Sequence, residues 1–134
     1  MAYVALGSNL GDRHAHLMRA RAALAALPAS RIVGESTIEE TAPLGPVPQG
    51  AYLNQMVALS TELSPRALLA ELHAIERAEG RVRDVRWGPR TIDLDIVCFE
   101  AATVDLPELR VPHPALHERD FWQRGLAELG AQCP

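Results

Sequence analysis

YLNQMVALSTELSPRALLAELHAIERAEG, residues 52–80, passes from one kind of periodicity to another within a single stretch. Tyr52 to Glu62 is rich in strand-forming and apolar residues and reads as a strand. Ser64 and Pro65 then supply a helix N-cap and a first-turn proline. Leu68, Leu72 and Ile75 recur at helical spacing and predict a buried stripe, and Gly80 ends the helix. After an arginine-rich loop, Thr91 to Phe99 returns to strand character. The second half of the chain is therefore strand–helix–strand.

The first half repeats that order. Tyr3 to Ser8 predicts a buried strand, and Asn9, Gly11 and Asp12 a turn. A helix from about Arg13 to Leu27 carries Leu17, Ala20, Leu24 and Leu27 on one face, with Pro28 beyond it. Arg31 to about Glu40 predicts another strand. The remainder is a short extended stretch near Leu109 to Pro112 and a terminal helical segment. Two strand–helix–strand units predict an α+β, ferredoxin-like sandwich: one domain over 1–134, a mainly antiparallel four-stranded core sheet, and helices packed on it. Two long loops, 41–50 and 81–90, are expected to meet at one end of the sheet.

At 134 residues and 14.6 kDa, the chain has the size of one domain. Its mean hydropathy of -0.03 is that of an ordinary soluble protein. The N-terminus reads as the start of a strand rather than a targeting segment, and no apolar run is long enough to span a membrane. A net charge of -4 argues against nucleic acid as the main partner. All 13 basic residues are Arg, which excludes a phosphate loop built on lysine and any Schiff-base chemistry. Phosphate, if handled, must be met by guanidinium groups and metal. Cys98 and Cys133 have no metal-ligand spacing. Cys98 falls on the apolar side of a predicted strand and is expected to be a buried free thiol, which fits a reducing, cytoplasmic setting.

Chemistry concentrates in Thr91-Ile92-Asp93-Leu94-Asp95-Ile96-Val97. Side chains alternate along a strand, so Asp93 and Asp95 share one face while Ile92, Leu94 and Ile96 point into the core. Carboxylates so placed can bracket two cations about 3.5–4 Å apart. Spacing alone leaves a merely solvated acidic strand face open. Arg81, Arg83, Arg86 and Arg90, within ten residues, immediately precede the pair, and guanidinium groups match phosphate oxygens. Acids beside such a loop suit a magnesium-bound polyphosphate. Tyr52 and Asn54 share a strand face, where a ring and a carboxamide can stack on and read a flat heteroaromatic ring. His113, Arg119 and Phe121 follow the last strand, in a region expected to return to the same end. His14, His16 and His117 are read as ordinary surface residues and Trp122 as packing.

Four stretches together carry a family resemblance: AYVALGSNLGD at 2–12, TAPLGPVPQGAYLN at 41–54, GRVRDVRWGPRTIDLDI at 80–96 and VPHPALHERDF at 111–121. In this order and spacing the chain resembles the 6-hydroxymethyl-7,8-dihydropterin pyrophosphokinases of folate synthesis. That resemblance implies transfer of pyrophosphate from ATP to the pterin alcohol in the cytoplasm, by a monomer that uses two magnesium ions. It implies that Asp93 and Asp95 hold the metal and that Arg81 and Arg90 assist transfer. Tyr52 and Phe121 would sandwich the pterin, Thr41, Leu44 and Asn54 would bond its edge, and Trp87 would close over it. Arg83, His113 and Arg119 would meet ATP phosphates, with His73, Glu76, Ile96, Leu109 and Arg110 around the adenine. The family often carries Gln where His73 stands here. After Phe121 the sequence departs from the family's usual apolar run, in a tail expected to lie far from the chemistry. A non-catalytic ATP- or pterin-binding homologue and a generic two-metal phosphohydrolase are the competing readings.

Overall fold

A computed structural model describes residues 1–43, 49–80, 91–100 and 102–134. Strands β1 (Ala2–Ser8), β4 (Tyr52–Thr61) and β5 (Asp93–Phe99) form the centre, with β2 (Ser30–Glu35) outside β4. The order β2-β4-β1-β5, antiparallel throughout, is that of a ferredoxin-like sheet. The α+β expectation and the four-stranded core therefore hold. A short strand β3 (Glu39–Thr41) pairs with the first half of β4, and β6 (Val104–Leu106) with β7 (Leu109–Val111) makes a separate hairpin. The sequence predicted only the second arm of that hairpin.

Helices α1 (Arg13–Ala25) and α2 (Pro65–Ala78) pack against the sheet; the Ser64 cap of α2 is as predicted, and Asp12, expected in a turn, caps α1. Asp12 accepts from Ala15 N–H, and Ser64 accepts from Ala67 N–H. Leu17, Ala20 and Leu24 from α1 and Leu68, Leu72 and Ile75 from α2 are buried with Val4, Leu6, Leu94 and Ile96 of the sheet. β1 is buried along its whole length, so its other face is covered too. Helix α3 (Asp120–Glu128) lies there against β4. Gly125 permits that approach, because a Cβ on it would stand 2.7 Å from Met56 Cβ.

The expected strand over 31–40 is in fact two. Glu35 pairs with Val57 and Glu39 with Asn54, so three residues stand opposite two and the edge must buckle. Ser36 stabilises the break: its N–H donates to Met56 O, its Oγ accepts from Met56 N–H, and its carbonyl accepts from Gln55 Nε2.

Cys98 is not a free thiol. It forms a disulfide with Cys133, with the Cα atoms 5.9 Å apart. The tail folds back onto β5, and Trp122 at its start lines a hollow with Asp93 and Asp95, so its expected remoteness from the chemistry is overturned there. The argument for a reducing compartment from an unpaired thiol goes with it.

Candidate active site

The face of the sheet that carries α3 is left open at one end. Register sets what stands there: Gly7 lies between Asn54 on β4 and Asp93 on β5, and Ala5 between Met56 and Asp95. Paired residues share a face, so both carboxylates stand on the same side, as the period of two requires. Small residues on β1 make a low floor between taller neighbours. A Cβ on Gly7 would crowd Tyr52 Cδ1 at 3.3 Å, so glycine leaves that ring room to lie across β1, with Asn54 Oδ1 beside it at 3.4 Å.

Two hollows meet at this floor. The first is lined by Gly7, Thr41, Tyr52, Asn54, Phe121 and Trp122. Asn54 Nδ2 donates to Thr41 Oγ1 at 2.5 Å, which sets the carboxamide with its Oδ1 over Gly7. Tyr52 and Phe121 present rings to one hollow, with polar atoms between: a shape for a flat, hydrogen-bonding heterocycle. The second hollow gathers His73, Ile96, Leu109, Arg110 and His113. Asp93, Asp95 and Arg119 line both. The carboxylates thus form a ridge between the two, half-buried and reachable from either side.

Behind the ridge, His113 is fixed on several sides. Its backbone N–H donates to Val97 O at 2.8 Å, and its ring Nδ1 accepts from Ala115 N–H at 3.0 Å. In the neutral ring the proton then sits on Nε2, which faces Asp95 Oδ1 at 3.7 Å. Burial, and then the Arg119 charge, hold His113 below the usual histidine range, with Asp93 pulling the other way. Trp122 is buried, as expected of a packing residue. It also meets the His113 ring edge-on at 4.9 Å and carries the Arg119 guanidinium 4.4 Å from its centroid. That supporting role escaped the sequence reading, as did the floor made by Gly7. Each left a trace, in an aromatic pair at 121–122 and in a glycine inside a strand.

One expected nucleotide contact is misplaced. Glu76 is 2% exposed, beneath the sheet, and its Oε2 accepts the Leu94 N–H at 2.9 Å. It ties α2 to β5 between the two aspartates instead of reaching the second hollow. Leu44, Arg81, Arg83, Trp87 and Arg90 lie outside the described residues. Among the described residues no cluster of three or more His, Cys, Asp or Glu is arranged to hold a metal. A pair of carboxylates suits magnesium, which keeps several waters and takes further oxygens from substrate phosphates.

The family described as 7,8-dihydro-6-hydroxymethylpterin-pyrophosphokinase matches residues 3–131. The chain belongs to this family. Among its relatives, the Pseudomonas aeruginosa 2-amino-4-hydroxy-6-hydroxymethyldihydropteridine pyrophosphokinase is 47% identical over 127 residues, covering 95% of this chain and 78% of that protein. Enzymes of the same name from Bacillus subtilis and Methylorubrum extorquens are 45% and 46% identical. The alignments cover 98% and 96% of this chain, and 79% and 81% of those proteins. For a member of the pyrophosphokinase family, two hollows divided by an acidic ridge offer separate seats for two substrates.

Proposed function

We propose that this chain transfers the pyrophosphoryl group of ATP to 6-hydroxymethyl-7,8-dihydropterin, giving AMP and the pterin pyrophosphate. The pterin occupies the hollow of Tyr52 and Phe121, its edge read by Asn54 and Thr41. The nucleotide occupies the hollow of His73, Ile96, Leu109 and Arg110. The reading rests on one observation, that Asp93 and Asp95 line both hollows. A group leaving a ligand in one hollow can reach a ligand in the other directly across that ridge.

The hydroxymethyl oxygen attacks the β-phosphorus of ATP, and the bond to the α-phosphate oxygen breaks to release AMP. Tyr52 and Phe121 hold the ring so that the hydroxymethyl arm points at the ridge, which makes the encounter effectively unimolecular. Arg119, present in both hollows, neutralises charge on the phosphates in transit. Asp93 and Asp95 would hold magnesium, proposed as two ions, which supplies Lewis-acid polarisation of phosphate oxygens. His113 braces Asp95 and, being neutral, adds no charge of its own. Arg81 and Arg90 are proposed to assist transfer, Arg83 to meet phosphate, and Trp87 and Leu44 to complete the pterin seat.

The proposed working form is a cytoplasmic monomer. No helix among the described residues is long and apolar enough to cross a membrane. The deciding experiment mixes protein, ATP, magnesium and the pterin alcohol and follows the nucleotide product. AMP formed in step with pterin consumed is the expected result. ADP, or phosphate release without pterin, contradicts the proposal.

A further inference from the structure

The three residues of β3 are each tied down by a side chain from a different element. Glu39 pairs with Arg124 of α3, and Thr41 accepts from Asn54 of β4. Glu40 is held by Arg13, the first residue of α1. The Arg13 tie has a second end. Its Nη1 donates both to Glu40 Oε2 at 3.1 Å and to Ala51 O at 3.0 Å. One nitrogen uses its two hydrogens on β3 and on the residue just before β4.

Glu40 and Ala51 immediately precede Thr41 and Tyr52, which form the last pair of the β3–β4 ladder. Arg13 therefore straddles that pair from the helix side of the sheet, while its outcome is felt on the other side, where Thr41 and Tyr52 line the first hollow. Arg13 does not line the hollow itself. A three-residue edge strand has little ladder of its own to set its position, so side-chain ties decide it.

We propose that Arg13 is a positioning residue for the pterin, which keeps the Thr41–Tyr52 pair in register by bridging Glu40 and Ala51. The proposal rests on the assignment of the pterin to the hollow of Tyr52. Without the bridge the pair is correctly placed for only part of the time, and apparent affinity falls by that fraction. The nucleotide hollow is built from α2, β5, β7 and the segment after it, and does not depend on the bridge.

The test compares Arg13→Met, which keeps the apolar stem without donors, with Arg13→Lys, whose ammonium can serve two acceptors from one nitrogen. KM for the pterin alcohol and for ATP are measured on each, with Tyr52→Ala as a reference. Arg13→Met should raise the pterin KM roughly five- to twentyfold, with the ATP KM within about twofold, and Arg13→Lys should recover most of the loss. An unchanged pterin KM, or an equal rise for both substrates, overturns the proposal. If Tyr52→Ala weakens the pterin and Arg13→Met does not, the bridge alone is refuted. If Tyr52→Ala also leaves the pterin unaffected, the seat and the bridge fall together.

Discussion

Replacing Gly7 with alanine should separate stability from function in opposite directions. Gly7 lies within β1 in ordinary strand pairing, where glycine costs roughly 0.5–1 kcal/mol relative to alanine through its greater freedom when unfolded. On that account alone the variant should melt about 2–4 °C higher. The new methyl, however, would start 3.3 Å from Tyr52 Cδ1, inside the about 3.5–4.0 Å of a relaxed carbon contact, while Asn54 Oδ1 at 3.4 Å stands at ordinary contact distance. Tyr52 is half-buried, so its ring can yield by a few tenths of an ångström into the hollow. A ring displaced there loses part of a stacking contact worth about 0.5–1.5 kcal/mol. That predicts a pterin affinity lower by about 0.5–1 kcal/mol, or roughly two- to fivefold. Calorimetric titration with the pterin alcohol and, separately, with a non-hydrolysable ATP analogue gives both numbers, and a thermal melt gives the third. Pterin affinity within twofold of the parent, or an equal loss for the nucleotide, would refute the reasoning.

Three further outcomes are expected. Asp95→Ala should cost at least ~3 kcal/mol of transition-state stabilisation, seen as a fall of more than a hundredfold in kcat/KM, and turnover within a few fold of the parent contradicts the ridge. Cys133→Ser opens a covalent loop of 35 residues' separation and should lower unfolding free energy by about 4 kcal/mol on the chain-entropy account; a native protein that titrates with two free thiols has no such bridge to lose. His113 is held below its unfolded value, so as the pH drops below about 6.5 the unfolded chain takes up a proton first and stability declines, with no effect above that range. Without magnesium, the urea midpoint between pH 7 and 5 should therefore fall more steeply for the parent than for His113→Asn, whereas parallel slopes would assign the titration elsewhere.

Much of the site was legible because strand chemistry obeys a period of two. Asp93 and Asp95, like Tyr52 and Asn54, could be placed on one face from spacing alone. The capped helix after Ser64 was equally plain. What escaped depends on contacts between distant segments. The buckle at Ser36 exists because β4 supplies two residues where the edge supplies three, and no local signal in 31–40 announces that. The bond between Cys98 and Cys133 requires the tail to return across the sheet. Glu76 is different, because its burial was readable: it follows Leu72 by four residues and so continues the inward stripe of α2. Its carboxylate survives there by accepting a backbone N–H, which sequence spacing does not reveal.

The bond from β5 to the tail joins the two ends of the segment that contributes His113, Arg119, Phe121 and Trp122. A single proteolytic nick between those ends would therefore not shorten the molecule. The fragments would migrate as one band until a reductant is added and would separate only then. The same hoop keeps the two wings of a nicked site attached, so such a cleavage leaves Phe121 tethered to the sheet.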